Sequence, residues 1–86
     1  MVHLIKGTLM KEFIEFIAKH LVDAPDNVSL EETTPDEKTV ELTLKVGAED
    51  VGKVIGKQGK TAQAMRTLLT AIAAKDGKRA ILKILD

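Results

Sequence analysis

The 86-residue sequence predicts a single small α+β domain. Its expected element order is α-β-β-α-α-β, with a three-stranded mixed sheet that carries all three helices on one face. Three observations lead there. Residues 39–46, TVELTLKV, alternate apolar and polar side chains, the pattern of a strand with one wet face. Residues 9–22 and 60–75 instead repeat apolar residues at helical spacing. Finally, 39–46 is joined to the apolar run 79–85 through two helical segments, a crossover that implies parallel pairing if the two strands are neighbours. Strand 39–46 is therefore expected at the centre of the sheet.

In chain order, LMKEFIEFIAKHLV at 9–22 sets Leu9, Phe13, Phe16 and Ile17 on one stripe, widened by Met10, Ile14 and Leu21. Both phenylalanines of the chain are expected in the core. Thr8, after Gly7, is the expected N-cap. Pro25 stops the helix, because the residue before a proline avoids helical backbone angles. Residues 1–8 read as an extension, leaving 9–86 as the domain. Val28 and Leu30 alternate with polar neighbours in 27–32, a short strand, and TTPDEK at 33–38 reads as a turn centred on Pro35 and Asp36. The next strand turns Val40, Leu42, Leu44 and Val46 to the core. Residues 48–55 form a short helix with Glu49 and Asp50 at its positive end. The alanine-rich 60–75 helix sets Met65, Leu68, Leu69 and Ile72 on its core stripe, and Gly77 ends it.

A chain this short buries about 60–65% of its unfolded surface, which leaves little room for a second domain or a deep enclosed active site. It has no cysteine, so disulfides and thiolate metal sites are excluded, and a reducing cytoplasm fits. The start lacks the apolar core of a signal peptide, and no apolar run nears the ~18 residues that span a bilayer. Membrane association is not expected. His3 and His20 are far apart with no cysteine between them, and the single serine, Ser29, has no evident histidine–acid set. No metal, cofactor or catalysis is expected.

Charge is sorted along the chain although it sums to zero. Residues 1–43 hold four lysines against nine acids, and residues 44–86 nine basic residues against four acids. Between Lys53 and Lys75 there is no acid. Such sorting suggests one face that meets an anion and another that repels it.

The basic half contains GKVIGKQGKT at 52–61. A mononucleotide P-loop would need glycine at position 54, where the chain has Val54, and would follow a strand rather than a helix. The glycines at 52, 56 and 59 also miss the dinucleotide spacing. What remains is a helix–GxxG–helix corner. Its glycines permit a tight turn and close approach of another chain, and the unpaired first amides of the following helix favour negative charge. With Lys57 and Lys60 added, the corner suits phosphates spaced along an extended strand.

VIGKQGK between two helices, in an α-β-β-α-α-β chain, resembles the type II KH domain. EDVGKVIGKQGKTAQAMRTLL, in a chain of this length, is similar to the bacterial KhpA family of small RNA-binding proteins. The resemblance covers roughly residues 9–86. It implies a GxxG loop (Gly56, Lys57, Gln58, Gly59) that grips about four nucleotides of single-stranded RNA with low sequence specificity. Lys53, Val54, Ile55, Lys60, Thr61 and Arg66 would line one wall of the groove, and Lys78 and Arg79 the other. It further implies an RNA chaperone or post-transcriptional regulator, and a homodimer or a heterodimer with a larger KhpB/Jag-like KH protein. The small alanines Ala64, Ala71 and Ala74 of the 60–75 helix are one candidate surface for that pairing. The alternative is an interaction module that binds RNA only with its partner. The acids from Asp23 to Glu37 read as a solvated side that repels RNA.

Overall fold

Three strands pair in the order β1-β2-β3 in a computed structural model that describes residues 2–85 and the side chains of residues 10–85. The elements are α1 (Val2–Leu21), β1 (Ser29–Asp36), β2 (Thr39–Lys45), α2 (Val51–Ile55), α3 (Lys60–Ala74) and β3 (Arg79–Leu85). Short 3-10 turns precede β1 at Pro25–Asn27, precede α2 at Ala48–Asp50, and join α2 to α3 at Lys57–Gly59. β2 is central, antiparallel to β1 and parallel to β3, as its alternation and the crossover predict.

Val40, Leu42, Leu44 and Val46 all point into the core, where they meet Leu82 of β3 and the helices. Ile14 and Ala18 of α1, Val54 of α2 and Met65 and Leu69 of α3 complete that layer. Fully burying one such aliphatic side chain contributes about 1.5–3 kcal/mol, so this single layer supplies most of the drive to fold.

Four expectations need correction. The first helix spans Val2–Leu21, so Thr8 lies inside it rather than at its start, as does residue 9. Gly7 weakens a helix interior by about 1 kcal/mol but does not stop it. Second, Phe16 is 62% exposed and Phe13 half-buried, while Met10, Ile14, Ala18 and Val22 form the buried stripe. Helix 9–22 is apolar on more than one face, and the sheet receives the face one residue out of phase with Phe13. Third, Leu68 is 46% exposed and Ile72 half-buried; α3 buries Met65 and Leu69 as expected, and with them Ala62 and Ala73. The small Ala73 lets the helix lie close on the core.

Fourth, β1 runs through Pro35 to Asp36, and the turn is only Glu37 and Lys38. The pairing register shifts between Thr33 and Asp36, so Pro35 sits at a bulge on an edge strand, where its missing N–H costs no ladder bond. Asp36 then closes the turn, accepting the Lys38 amide at 2.8 Å and the Thr39 hydroxyl at 3.1 Å. Those donors, the amide first, hold its carboxyl below the ordinary value.

Candidate nucleic-acid interface

The corner between α2 and α3 is built by three irregular residues within the four of the GxxG loop. Gly56 takes φ 80° and ψ 170°, a region open in practice only to glycine. Gln58 (φ 58°) and Gly59 (φ 74°) are left-handed. The Gly56 amide closes the last turn of α2 on the Gly52 carbonyl at 2.9 Å. The Gly59 amide then bonds the Gly56 carbonyl at 3.0 Å, and the Lys60 amide bonds that of Lys57. The expectation of free amides at the start of α3 is thus met only in part: the Gly59 and Lys60 amides close turns. The amides of Lys57 and Gln58 open the 3-10 turn and have no acceptor within it.

The two loop glycines face different surroundings. A Cβ on Gly56 would stand 2.8 Å from the Thr61 amide nitrogen and closer still to the Thr61 side chain. A Cβ on Gly59 would meet nothing within 4 Å. The outer face of the loop is therefore open, while its inner face is packed on Thr61. Lys57, Gln58 and Lys60 are exposed, and among the described residues neither lysine has an acidic partner. Ile55, 37% exposed, adds an apolar contact beside them.

Three of the other predicted residues have contacts of their own within the fold. Val54 is fully buried, so its side chain anchors α2 in the core and cannot touch a surface ligand. Lys53 is exposed but engaged: its ammonium forms an ion pair with Asp23 and lies 3.4 Å from an Asp50 oxygen. The hydrogen bond that Lys53 donates to Asp23, and then the Asp23 charge, raise the Lys53 pKa. Asp23, read as solvated from sequence, is the outer partner. Arg66 donates from Nε to the Leu82 carbonyl at 3.4 Å, which places its guanidinium against β3.

Lys78 and Arg79 are not brought to the corner. They follow the far end of α3, about 22 Å along the helix axis from Lys60 at 1.5 Å per residue. There the Arg79 amide bonds the Lys38 carbonyl at 2.7 Å, beside Asp36 and Glu37.

Sequence reasoning missed Asp50. It is 3% exposed, and it accepts the amides of Asp23 at 3.2 Å and Ala24 at 3.1 Å. Those two donors and Lys53 hold its carboxyl below the ordinary value, the Asp23 amide most strongly. Asp50 thereby fastens the end of α1 to the start of α2, one short helix away from the glycine corner. No local pattern announces it, because its partners lie 26 and 27 residues upstream.

The described residues contain no group of three or more acids and histidines able to hold a metal ion, and no helix long and apolar enough to cross a membrane. The GxxG corner on this α-β-β-α-α-β frame matches the family model described as KhpA/KhpB, KH domain, over residues 11–84. The chain belongs to the KhpA/KhpB KH-domain family. Among curated relatives it is 51% identical over 76 residues to the RNA-binding protein KhpA of Clostridium acetobutylicum, covering 88% of this chain and all of that protein. It is 51% identical over 77 residues to the KhpA of Aquifex aeolicus, covering 90% of this chain and 96% of the relative. The KhpA of Chlamydia trachomatis is 43% identical over 77 residues, covering 90% of this chain and 97% of the relative. No solved structure matches the chain.

Proposed function

We propose that the chain binds single-stranded RNA without catalysis, gripping the sugar–phosphate backbone at Gly56-Lys57-Gln58-Gly59 and reading little sequence. The observation that carries this reading is the open face over Gly59, flanked by exposed Lys57, Gln58 and Lys60. Left-handed residues interrupting a helical turn form backbone concavities that suit anions. The name shared by the curated relatives, RNA-binding protein KhpA, supports the same ligand. Low specificity follows from the absence of a stacking platform at the loop. The chain has no Tyr or Trp, and Phe13 and Phe16 pack near Ile72, about 18 Å along α3 from Lys60.

Ile55, Lys60 and Thr61 act with the loop, and Arg66 supports the groove beside β3. Lys78 and Arg79 serve only a strand long enough to run the length of α3. In the cell such a module acts as an RNA chaperone or post-transcriptional regulator in the cytoplasm. The test is the double substitution Lys57→Asp and Gln58→Asp. It puts two negative charges where phosphate sits, on exposed residues, and should abolish RNA binding while leaving the thermal unfolding midpoint nearly unchanged. Undiminished affinity in that variant rejects the site.

A second reading is favoured by the apolar cleft of Phe13, Phe16 and Ile72, with Leu68 exposed one turn earlier on α3. In it the chain pairs with itself or with a KhpB/Jag-like KH protein and binds RNA only in that company. RNA binding by the isolated chain at concentrations where sedimentation finds only monomer would discard it.

A further inference from the structure

We propose that Asp23 sets the RNA affinity of this chain by withholding Lys53 from phosphate, an inference that rests on the RNA-binding reading above. Lys53 differs from the other lysines of the corner. Lys57 and Lys60 have no acidic partner among the described residues, whereas Lys53 is bound by Asp23 and shared with Asp50. Its position gives it access to the same ligand. The Gly56 amide closes on Gly52, so Lys53 stands in the helical turn that leads directly into the loop. One turn advances about 5.4 Å, within the reach of a lysine side chain.

The two carboxylates contribute differently. Asp50 is buried, and its oxygens are already bonded by the Asp23 and Ala24 amides, so it is tied to the fold. The Asp23 side chain is 85% exposed, and its only partner among the described residues is Lys53. Its charge is therefore spent on that ammonium and does not hold the fold together. Exposed pairs of this kind are weak, so Asp23 lowers the availability of Lys53 rather than sequestering it irreversibly. A carboxylate beside the phosphate path also repels the ligand directly, but that effect is screened over about 8 Å at physiological salt.

The experiment measures binding of a fluorescein-labelled, mixed-sequence, single-stranded oligoribonucleotide by the full chain at several salt concentrations. Asp23→Asn should bind about two- to five-fold tighter than the parent near 0.15 M salt, the equivalent of one exposed ion pair. Its log–log salt slope should steepen by roughly 0.7, one added phosphate contact on a single strand. Both gains should vanish when Lys53→Met is added. Asp23→Ser serves as a second variant that cannot hold the ammonium as an amide oxygen can. Affinity and slope unchanged in both Asp23 variants overturn the proposal, as does an equal gain with Lys53→Met present. The Lys57→Asp, Gln58→Asp variant runs in parallel. If it retains binding, the RNA site itself is misplaced; if it loses binding while the Asp23 variants are inert, only the role of Asp23 fails.

Discussion

The Thr61 side chain fills the space that a Cβ on Gly56 would need, and the Thr61 amide nitrogen lies 2.8 Å from the same point. The start of α3 is thereby pressed against the exit of α2. The corner keeps its shape through contact between backbone and a β-branched residue, while its outer face stays open at Gly59.

Gly56→Ala should accordingly be the most damaging single-methyl change in the loop. It meets Thr61 and adopts backbone angles that cost a non-glycine residue about 1–3 kcal/mol. Gly59→Ala meets nothing and pays only the left-handed penalty, about 1–2 kcal/mol. Urea unfolding of the two variants should place Gly56→Ala lower. Adding Thr61→Ala should restore only part of the loss, because the amide nitrogen remains in the way.

Removing the Asp50 carboxylate should loosen α2 from α1. Asp50→Asn turns an amide N–H₂ toward one of two backbone donors, and the variant should be less stable than the parent at neutral pH. The folded-state pKa of Asp50 lies below its ordinary 3.8. Its stabilising contribution is therefore complete well above 3.8 and lost as pH falls below that value through the depressed one. Thermal midpoints of parent and variant, measured from pH 7 to pH 2, should converge at the acid end. A constant gap between them would show that ionisation of Asp50 does not matter.

The stripe that α1 buries can be tested by contrast. Ile14→Ala removes a fully buried side chain and should cost about 2–5 kcal/mol. Phe16→Glu alters a mostly exposed one and should change monomer stability by no more than about 0.5 kcal/mol, provided the measurement is made at high dilution. If the Phe16 variant is as destabilised as the Ile14 variant, the helix is rotated from the orientation described.

Salt dependence should report how many phosphates the corner holds. Two to four contacts on a single strand give a log–log slope of about −1.4 to −2.8. Each charged hydrogen bond contributes about 1.5–3 kcal/mol at best, which points to micromolar or weaker affinity for one copy. A slope near zero would place the binding outside the lysine corner.

Much of the frame was legible because it is written in local periodicity. TVELTLKV alternates strictly, and its four apolar residues all reach the core. The GxxG corner could be found because the left-handed backbone at Gly59 and the glycine-only angles at Gly56 demand that spacing. The hairpin was misjudged because Pro35 and Asp36 are turn residues by type, yet a proline is equally at home in a bulge of an edge strand.

The chain by itself determined the element order, the parallel crossover, the face of β2 that is buried and the glycine corner, since each follows from residue type at fixed short spacing. Tertiary structure decided which apolar face of α1 and α3 was covered, leaving Phe16 and Leu68 outside, because a helix apolar on several sides is oriented only by what packs against it. It also decided the fate of two charges: Asp50 became a buried clamp and Lys53 a lysine already engaged. Both depend on the Asp23–Ala24 segment arriving from the end of α1, a meeting of distant segments that no local pattern encodes.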